Sequence, residues 1–358
     1  MKPQLMNIRE QVMVITGASS GIGLTTARMA AQQGASVVLA ARDQNVLDRL
    51  CEEVESSGGK ALAVATDVSR LEDVEALADK ASERFGAFDT WVNNSGGSVY
   101  GSLLDIPVEE ERKLFETNYW GVVYGSRVAA KHLQTRGGAI INLGSVASDR
   151  AIPLQAAYSA SKHAVKAYTD ALRTELEKEG APVSVTLIKP TAIDTPFFRH
   201  AATHMDSQPI EPSPMYAPDA VARAILYAAQ HPVRDILVGG RATMESAMGR
   251  LVPRFGDWMM RATMFDGQKS QRRPLPQDNQ GLERASGELQ ERGNYDDATV
   301  LEHSLYTELA MRSSLNRAGA AGALLALMMI ARKRKRNRAD RRLSTGRALS
   351  VGARFELA

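Results

Sequence analysis

The chain has 358 residues, 44% of them hydrophobic, enough to bury a large core in one domain or two. Its charge is nearly balanced, 44 basic against 41 acidic side chains for a formal +3, and no nucleic-acid partner is expected. Cys51 is the single cysteine, which excludes an internal disulfide and a cysteine metal cluster and is compatible with a reducing compartment.

Before Val12 the chain is polar and its first apolar run is too short for a signal peptide, so a cytoplasmic core is expected. Val12 to Thr16 reads as a strand whose apolar run is Val12 to Ile15, and the motif Thr16-Gly17-Ala18-Ser19-Ser20-Gly21-Ile22-Gly23 leads from it into a helical pattern from Leu24 to Gln33. Glycines at 17, 21 and 23 allow backbone conformations that a β-carbon resists. They also let a pyrophosphate approach the helix N-terminus, whose unpaired N–H groups and dipole favour anions. The spacing departs from the commoner G-x-G-x-x-G, so packing is a competing reason for the turn. A second strand, Ser36 to Ala41, ends where a dinucleotide site usually places a carboxylate for the adenosine ribose; here Ala41 is followed by Arg42. A guanidinium clamps phosphate oxygens in a bidentate fork, so a 2′-phosphate is expected, and with it NADP(H) over NAD(H). Asp43 fits a helix N-cap.

Ala61 to Ala65 is a third strand, with Thr66-Asp67-Val68 at its end and Asp67 a candidate cap for a helix beginning near Leu71. Phe88 to Val92 and Ala139 to Leu143 read as further strands, trailed by Asn93-Asn94-Ser95-Gly96 and by Gly144-Ser145. In a doubly wound sheet ligands collect at the C-terminal strand ends, which brings Ser145 to the crevice of the glycine turn. Tyr158 and Lys162, in Tyr158-Ser159-Ala160-Ser161-Lys162, project from one helical face. A phenol ordinarily loses its proton near about pH 10; a nearby ammonium stabilises the phenolate and lowers that value toward the range of a proton-transfer catalyst. Val183 to Ile188 and Asp235 to Val238 complete seven strand-like runs alternating with helical patterns. The fold class is therefore α/β, a Rossmann-type doubly wound parallel sheet with a C-terminal extension. The loop from Pro196 to Pro218 holds five prolines and reads as a substrate lid. His200 and His204 have helical ligand spacing but no third ligand, and no metal site is expected.

Taken in this order, the motifs resemble those of the short-chain dehydrogenase/reductase family over roughly residues 8 to 240. The resemblance implies that Tyr158 exchanges a proton with the reacting carbonyl or alcohol oxygen, while Ser145 hydrogen-bonds that oxygen. It implies that Lys162 depresses the Tyr158 pKa and bonds the nicotinamide ribose. Asn118, in Thr117-Asn118-Tyr119-Trp120-Gly121, matches the asparagine that holds a relay water. For the cofactor, the resemblance assigns Gly17, Ser19, Ser20, Gly21, Ile22 and Gly23 to the glycine turn. It gives Asp67 and Val68 to the adenine edge and Asn94 to the cleft wall, and it places Pro190, Ile193 and Thr195 in the segment covering the nicotinamide. Ser95 stands where the family usually has Ala, and Thr191 where Gly is usual. The implied activity is an NADP(H)-dependent oxidoreductase on a small-molecule carbonyl or alcohol, in a homo-oligomer built on the helices carrying Asn118 and Tyr158. The alternative is a catalytically silent dinucleotide-sensing or membrane-associated interaction protein on the same fold.

The catalytic domain is expected over 1–240, a helical segment near the substrate site over 241–267, a polar linker over 268–297 and a tail over 298–358. In the helical segment, an apolar stripe with Met259 and Met260 fits a covered core or dimer face, and the interleaved Arg250, Arg254 and Arg261 fit a membrane surface. The tail joins an apolar run, 318–331, to a basic cluster, 332–338. As a helix the run reaches about 21 Å against a hydrocarbon core of roughly 30 Å, so a packed helix and an interfacial anchor compete with a span.

Overall fold

Val12–Thr16 (β1) enters the structure as a run of apolar side chains buried on both sides, the pattern of a central parallel strand. The computed structural model describes residues 3–210, 213–240, 253–274, 282, 284–285, 287–295 and 298–312. Ser36–Ala41 (β2) and Lys60–Ala65 (β3) pair outward from β1 on one side. On the other side follow Thr90–Asn93 (β4), Gly138–Leu143 (β6), Val183–Pro190 (β7) and Asp235–Val238 (β10). The seven-stranded sheet has the order β10-β7-β6-β4-β1-β2-β3 and every pair in it is parallel, as the sequence pattern leads one to expect. Four two-residue strands, Val99–Tyr100 (β5), Ala202–Thr203 (β8), Met215–Tyr216 (β9) and Val300–Leu301 (β11), lie outside it; β5 pairs β8, and β9 pairs β11.

The strand order reverses between β1 and β4. Right-handed crossovers then place the helix after β1, Gly21–Gln32 (α1), and the helix after β3, Leu71–Phe85 (α3), on opposite faces. On the α3 face, Leu77 joins Ala129 of Gly121–Leu133 (α5) and Leu176 of Ala156–Glu179 (α6) over Val14, Val38, Ile140 and Val185. A crevice opens at the reversal, over the C-terminal ends of β1 and β4.

A buried polar chain fixes α6 against the sheet. Trp91 Nε1 donates to Asn93 Oδ1 at 2.8 Å, Asn93 Nδ2 to Asn142 Oδ1 at 2.8 Å, and Asn142 Nδ2 to the Thr169 hydroxyl of α6 at 2.9 Å. Each group is satisfied inside the core, so the chain sets the helix's register without leaving a buried donor unpaired. The turn after β6 is held from below by Asp149. Its carboxylate is closed off from solvent and accepts from Lys166 and, at 2.8 Å, from Lys189.

Past β10 the helix Pro253–Gly267 returns to the sheet edge, where Met260 and Met264 pack on Ala147, Ile152 and Tyr158. Where the sequence suggests a polar linker, the described residues of 268–297 pack against the main body. Gln268 is fully buried and donates to Pro153 O and Met264 O, and residues 284–285 and 287–295 lie along the crevice. Main-chain bonds and side chains such as Arg28, Arg42 and Asp194 share this docking, and contacts between segments so far apart are not encoded in a polar composition. The Pro196–Pro218 loop is also more ordered than its prolines suggest, holding Phe197–His200 (α7), β8 and β9. Met1–Glu308 forms one compact unit, and Leu309–Ala358 lies outside that unit. The apolar run 318–331 and the basic cluster 332–338 lie outside the described residues, among which no helix is long and apolar enough to cross a membrane.

Candidate active site

The glycine turn takes its shape from residues that tolerate no side chain. Gly17 and Gly21 adopt φ of 67° and 51°, in the left-handed region that favours glycine. A β-carbon on Gly23 would stand 2.1 Å from Gly17 O, so only glycine permits this closeness of turn and helix. The end of β4 braces the turn. Thr16 Oγ1 accepts from the N–H groups of Asn94 and Ser95 at 3.0 and 3.1 Å, and Asn94 Nδ2 donates to Thr16 O at 2.9 Å and Gly17 O at 3.2 Å. In α1 the first intrahelical bond runs from Leu24 N to Ser20 O at 3.2 Å, so the N–H groups of Gly21, Ile22 and Gly23 precede the helical ladder.

A cavity of about 280 Å³ runs from this turn to Tyr158. It is lined by Gly17, Ser19, Ser20, Gly21, Ile22, Arg42, Asp67, Val68, Asn94, Ser145, Tyr158, Lys162, Pro190, Ile193 and Thr195. Of the residues singled out in the sequence only Gly23 and Asn118 do not line it. Asn118 is fully buried in a π-helical turn, Glu116–Trp120. Its Oδ1 accepts from Gly97 N at 2.8 Å, while its Nδ2 donates to Gly97 O at 3.0 Å and Ser161 Oγ at 3.2 Å. The side chain thus pins the loop after β4 to α6, a contact that spacing alone does not reveal.

Ser145 caps a short 3₁₀ turn, Val146–Ser148: its Oγ accepts from Ala147 N at 3.1 Å, and its own N–H donates to Ser148 Oγ at 3.2 Å. Tyr158, half-buried on the first turn of α6, meets Phe197 edge-on with ring centroids 5.8 Å apart. Lys162 lies one turn on, only 5% exposed; its Nζ donates to Leu143 O at 2.8 Å and stands 5.8 Å from the Tyr158 ring centroid. Burial lowers the Lys162 pKa from 10.5 to about 8, which leaves the ammonium form in excess by roughly tenfold at pH 7.

At the other end Arg42 lines the cavity, and its Nη2 donates to Arg284 O at 2.6 Å. Asp43 is the N-cap of Gln44–Ser56 (α2), accepting from Asn45 N and Val46 N. Asp67 Oδ1 accepts from the N–H and hydroxyl of Ser69. His204 pairs with Glu110 at 2.9 Å whereas His200 lines the cavity, and no group of three metal-ligating side chains occurs among the described residues. The wall around Tyr158 includes residues that sequence reasoning did not assign to a site: Ile152, Gln155, Phe197, Met260, Met264 and Leu282. For Met260 and Met264 the apolar stripe was a usable signal; for Ala285 and Gly287, which also line the cavity, there was none.

The short chain dehydrogenase family model matches residues 11–206. An uncharacterised oxidoreductase of Bacillus subtilis, YxnA, is 44% identical over 324 residues, covering 90% of this chain and 91% of the relative. Among solved structures, a short chain dehydrogenase/reductase of Burkholderia phymatum in complex with NAD is 28% identical with a TM-score of 0.62, covering 76% of this chain and 99% of that one. An alcohol dehydrogenase of Thermococcus sibiricus complexed with 5-hydroxy-NADP is 29% identical with a TM-score of 0.56, covering 63% and 95%. The chain belongs to the short chain dehydrogenase family, and its sheet is the family's Rossmann fold.

Proposed function

We propose that this protein is an NADP(H)-dependent oxidoreductase that interconverts a carbonyl and an alcohol, with Tyr158 as the acid/base. The observation that carries this reading is that Ser145, Tyr158 and Lys162 share one cavity with a glycine turn whose helix-start N–H groups are outside the helical ladder. The turn fits a dinucleotide: its glycines let it pack tightly against Asn94, Thr195 and α1, and Ile22, which lines the cavity, brings a helix-start N–H group and the helix dipole to an anion. The bound dinucleotide supplies or accepts the hydride.

The chain's own part is positional and electrostatic. Ser145 Oγ, oriented by its bond from Ala147 N, retains its proton as a donor to the substrate oxygen. Tyr158 delivers a proton to that oxygen in reduction and takes it back in oxidation. The Lys162 ammonium, poorly solvated and anchored to Leu143 O, favours the phenolate that remains. Ile152, Phe197, Met260 and Met264 make the Tyr158 end apolar, which favours a carbonyl with apolar substituents and excludes bulk water from the proton transfer. NADP(H) is favoured over NAD(H) because Ala41 offers no carboxylate at the end of β2 and Arg42 stands in the cavity wall.

Tyr158→Phe should retain NADPH binding, read by quenching of protein fluorescence, and lose most turnover across a panel of ketones and aldehydes. Equal turnover in variant and wild type rejects the mechanism, and absence of turnover in both favours the dinucleotide-sensing alternative. Arg42→Ala should weaken NADPH more than NADH; equal weakening rejects the phosphate clamp.

A further inference from the structure

We propose that the described residues between Arg284 and Tyr295 form a cofactor strap: a wall of the dinucleotide site, contributed from outside the region matched by the family model, that retains the nicotinamide dinucleotide during each turnover and slows its release. The proposal rests on the reading above that this cavity takes a dinucleotide.

The strap is bonded to both banks of the cavity along its length. At the end where β2 stops, Arg284 O accepts from Arg42 Nη2 at 2.6 Å. Over the glycine turn two main-chain bonds run in opposite directions, Leu289 N to Ser19 O at 3.1 Å and Gly21 N to Gln290 O at 2.8 Å. Glu291 then pairs with Arg28 of α1 at 2.8 Å. On the opposite bank Gly293 N donates to Asp194 Oδ1 at 3.1 Å, the Tyr295 hydroxyl to Thr195 O at 2.9 Å, and Arg199 Nη2 to Asn294 O at 3.3 Å. Asp194 and Thr195 belong to the segment that the family resemblance places over the nicotinamide. The strap therefore joins the phosphate-binding bank to the nicotinamide-covering bank, and Ala285 and Gly287 face the cavity between them.

Its fit is close. A β-carbon on Gly287 would stand 2.3 Å from the Ser19 side chain, so glycine is required for the strap to lie flat on the turn. Leu289 and Asn294 take left-handed φ of 54° and 49°, which is unfavourable for leucine and is sustained by the main-chain bonds on either side.

The donor arithmetic distinguishes a clamp from a plug. Three N–H groups at the start of α1 precede the helical ladder, and the described residues of the strap take that of Gly21. Among the described residues those of Ile22 and Gly23 have no bond from the strap, and Glu291 pairs with Arg28. A segment that replaced the phosphate would be expected to satisfy these donors itself. One that encloses a bound phosphate leaves them for it.

The test is the rate of NADPH dissociation from the full-length protein, measured by stopped-flow displacement of its fluorescence with excess NADP⁺. Gly287→Ala lifts the strap from Ser19, Glu291→Gln removes the pair with Arg28, and Tyr295→Phe deletes one hydroxyl with little change in packing. Release should accelerate by about tenfold in Gly287→Ala and by about threefold or more in the other two, as expected for lost polar contacts of ordinary strength. Amide exchange of residues 287–293 in the wild type should slow when NADPH is added. Unchanged release in all three variants together with cofactor-independent exchange overturns the strap. So does tighter NADPH binding in Gly287→Ala through faster association, which would identify a plug. A wild-type protein that binds neither NADPH nor NADH by calorimetry defeats the underlying function and the strap with it, whereas binding with unaltered release defeats the strap alone.

Discussion

Replacing Lys162 with methionine removes a buried positive charge while keeping most of the side-chain volume. Burial carries the ammonium from its ordinary pKa of 10.5 down to about 8. A displacement of that size corresponds to roughly 3 kcal/mol of folding free energy lost by keeping the charged form out of water at neutral pH. The bond from Nζ to Leu143 O returns roughly 1–2 kcal/mol of this. The methionine variant should therefore be inactive and yet, without cofactor, more stable than the wild type at pH 7 by roughly 1–2 kcal/mol. The pH dependence has a definite sign. The unfolded chain keeps this proton up to 10.5 and the folded one only up to about 8, so between those values the unfolded state binds more protons and wild-type stability rises with pH. By pH 9.5 the wild type should recover roughly 2 kcal/mol, and the variant's advantage should shrink by the same amount. Urea denaturation of both apoproteins at pH 7 and 9.5 measures it. The difference between proteins is the quantity to read, because Cys51, pushed up to about 11 chiefly by burial, titrates in both with the opposite sign. A variant less stable than wild type at pH 7, or an advantage that does not change with pH, refutes the reasoning.

Asp149→Ala strands Lys189, whose side chain is 7% exposed, and should cost about 3–5 kcal/mol in urea melts; an unchanged midpoint would mean the ion cluster under the Ser145 turn is energetically idle. Asn118→Ala unpairs the N–H and C=O of Gly97 and should cost about 2 kcal/mol, with Asn118→Asp intermediate because it still accepts from Gly97 N; equal losses in both would count against the pinning role. Gly23→Ala forces a β-carbon against Gly17 O and should cost about 1–3 kcal/mol and abolish NADPH binding in a fluorescence titration; wild-type affinity would show that the turn can open.

The sheet was legible because each strand is short, apolar and followed by a turn or helix signal. Val12–Thr16, Ser36–Ala41 and Asp235–Val238 were read with their observed ends. The strand read as Phe88 to Val92 runs instead over Thr90–Asn93, and Asp89 before it accepts from Val12 N through its carboxylate, at the start of β1. Candidate residues at strand ends and on one helical face line one cavity, as read, because local geometry alone dictates where they point. Ser145 follows β6, and Tyr158 and Lys162 lie one turn apart on α6.

By itself the sequence determined the alternation of strands and helices, the glycines that shape the turn after β1 and the placing of Ser145, Tyr158 and Lys162 as candidates for one crevice, all consequences of local chain geometry. Only the tertiary structure decided what Asn118 touches and which methionines wall the pocket. It alone showed that a polar stretch more than 240 residues downstream lies on Arg42 and Ser19. Those contacts join segments far apart in the chain, and on the downstream stretch most of them use main-chain N–H and C=O groups, which no side-chain pattern announces.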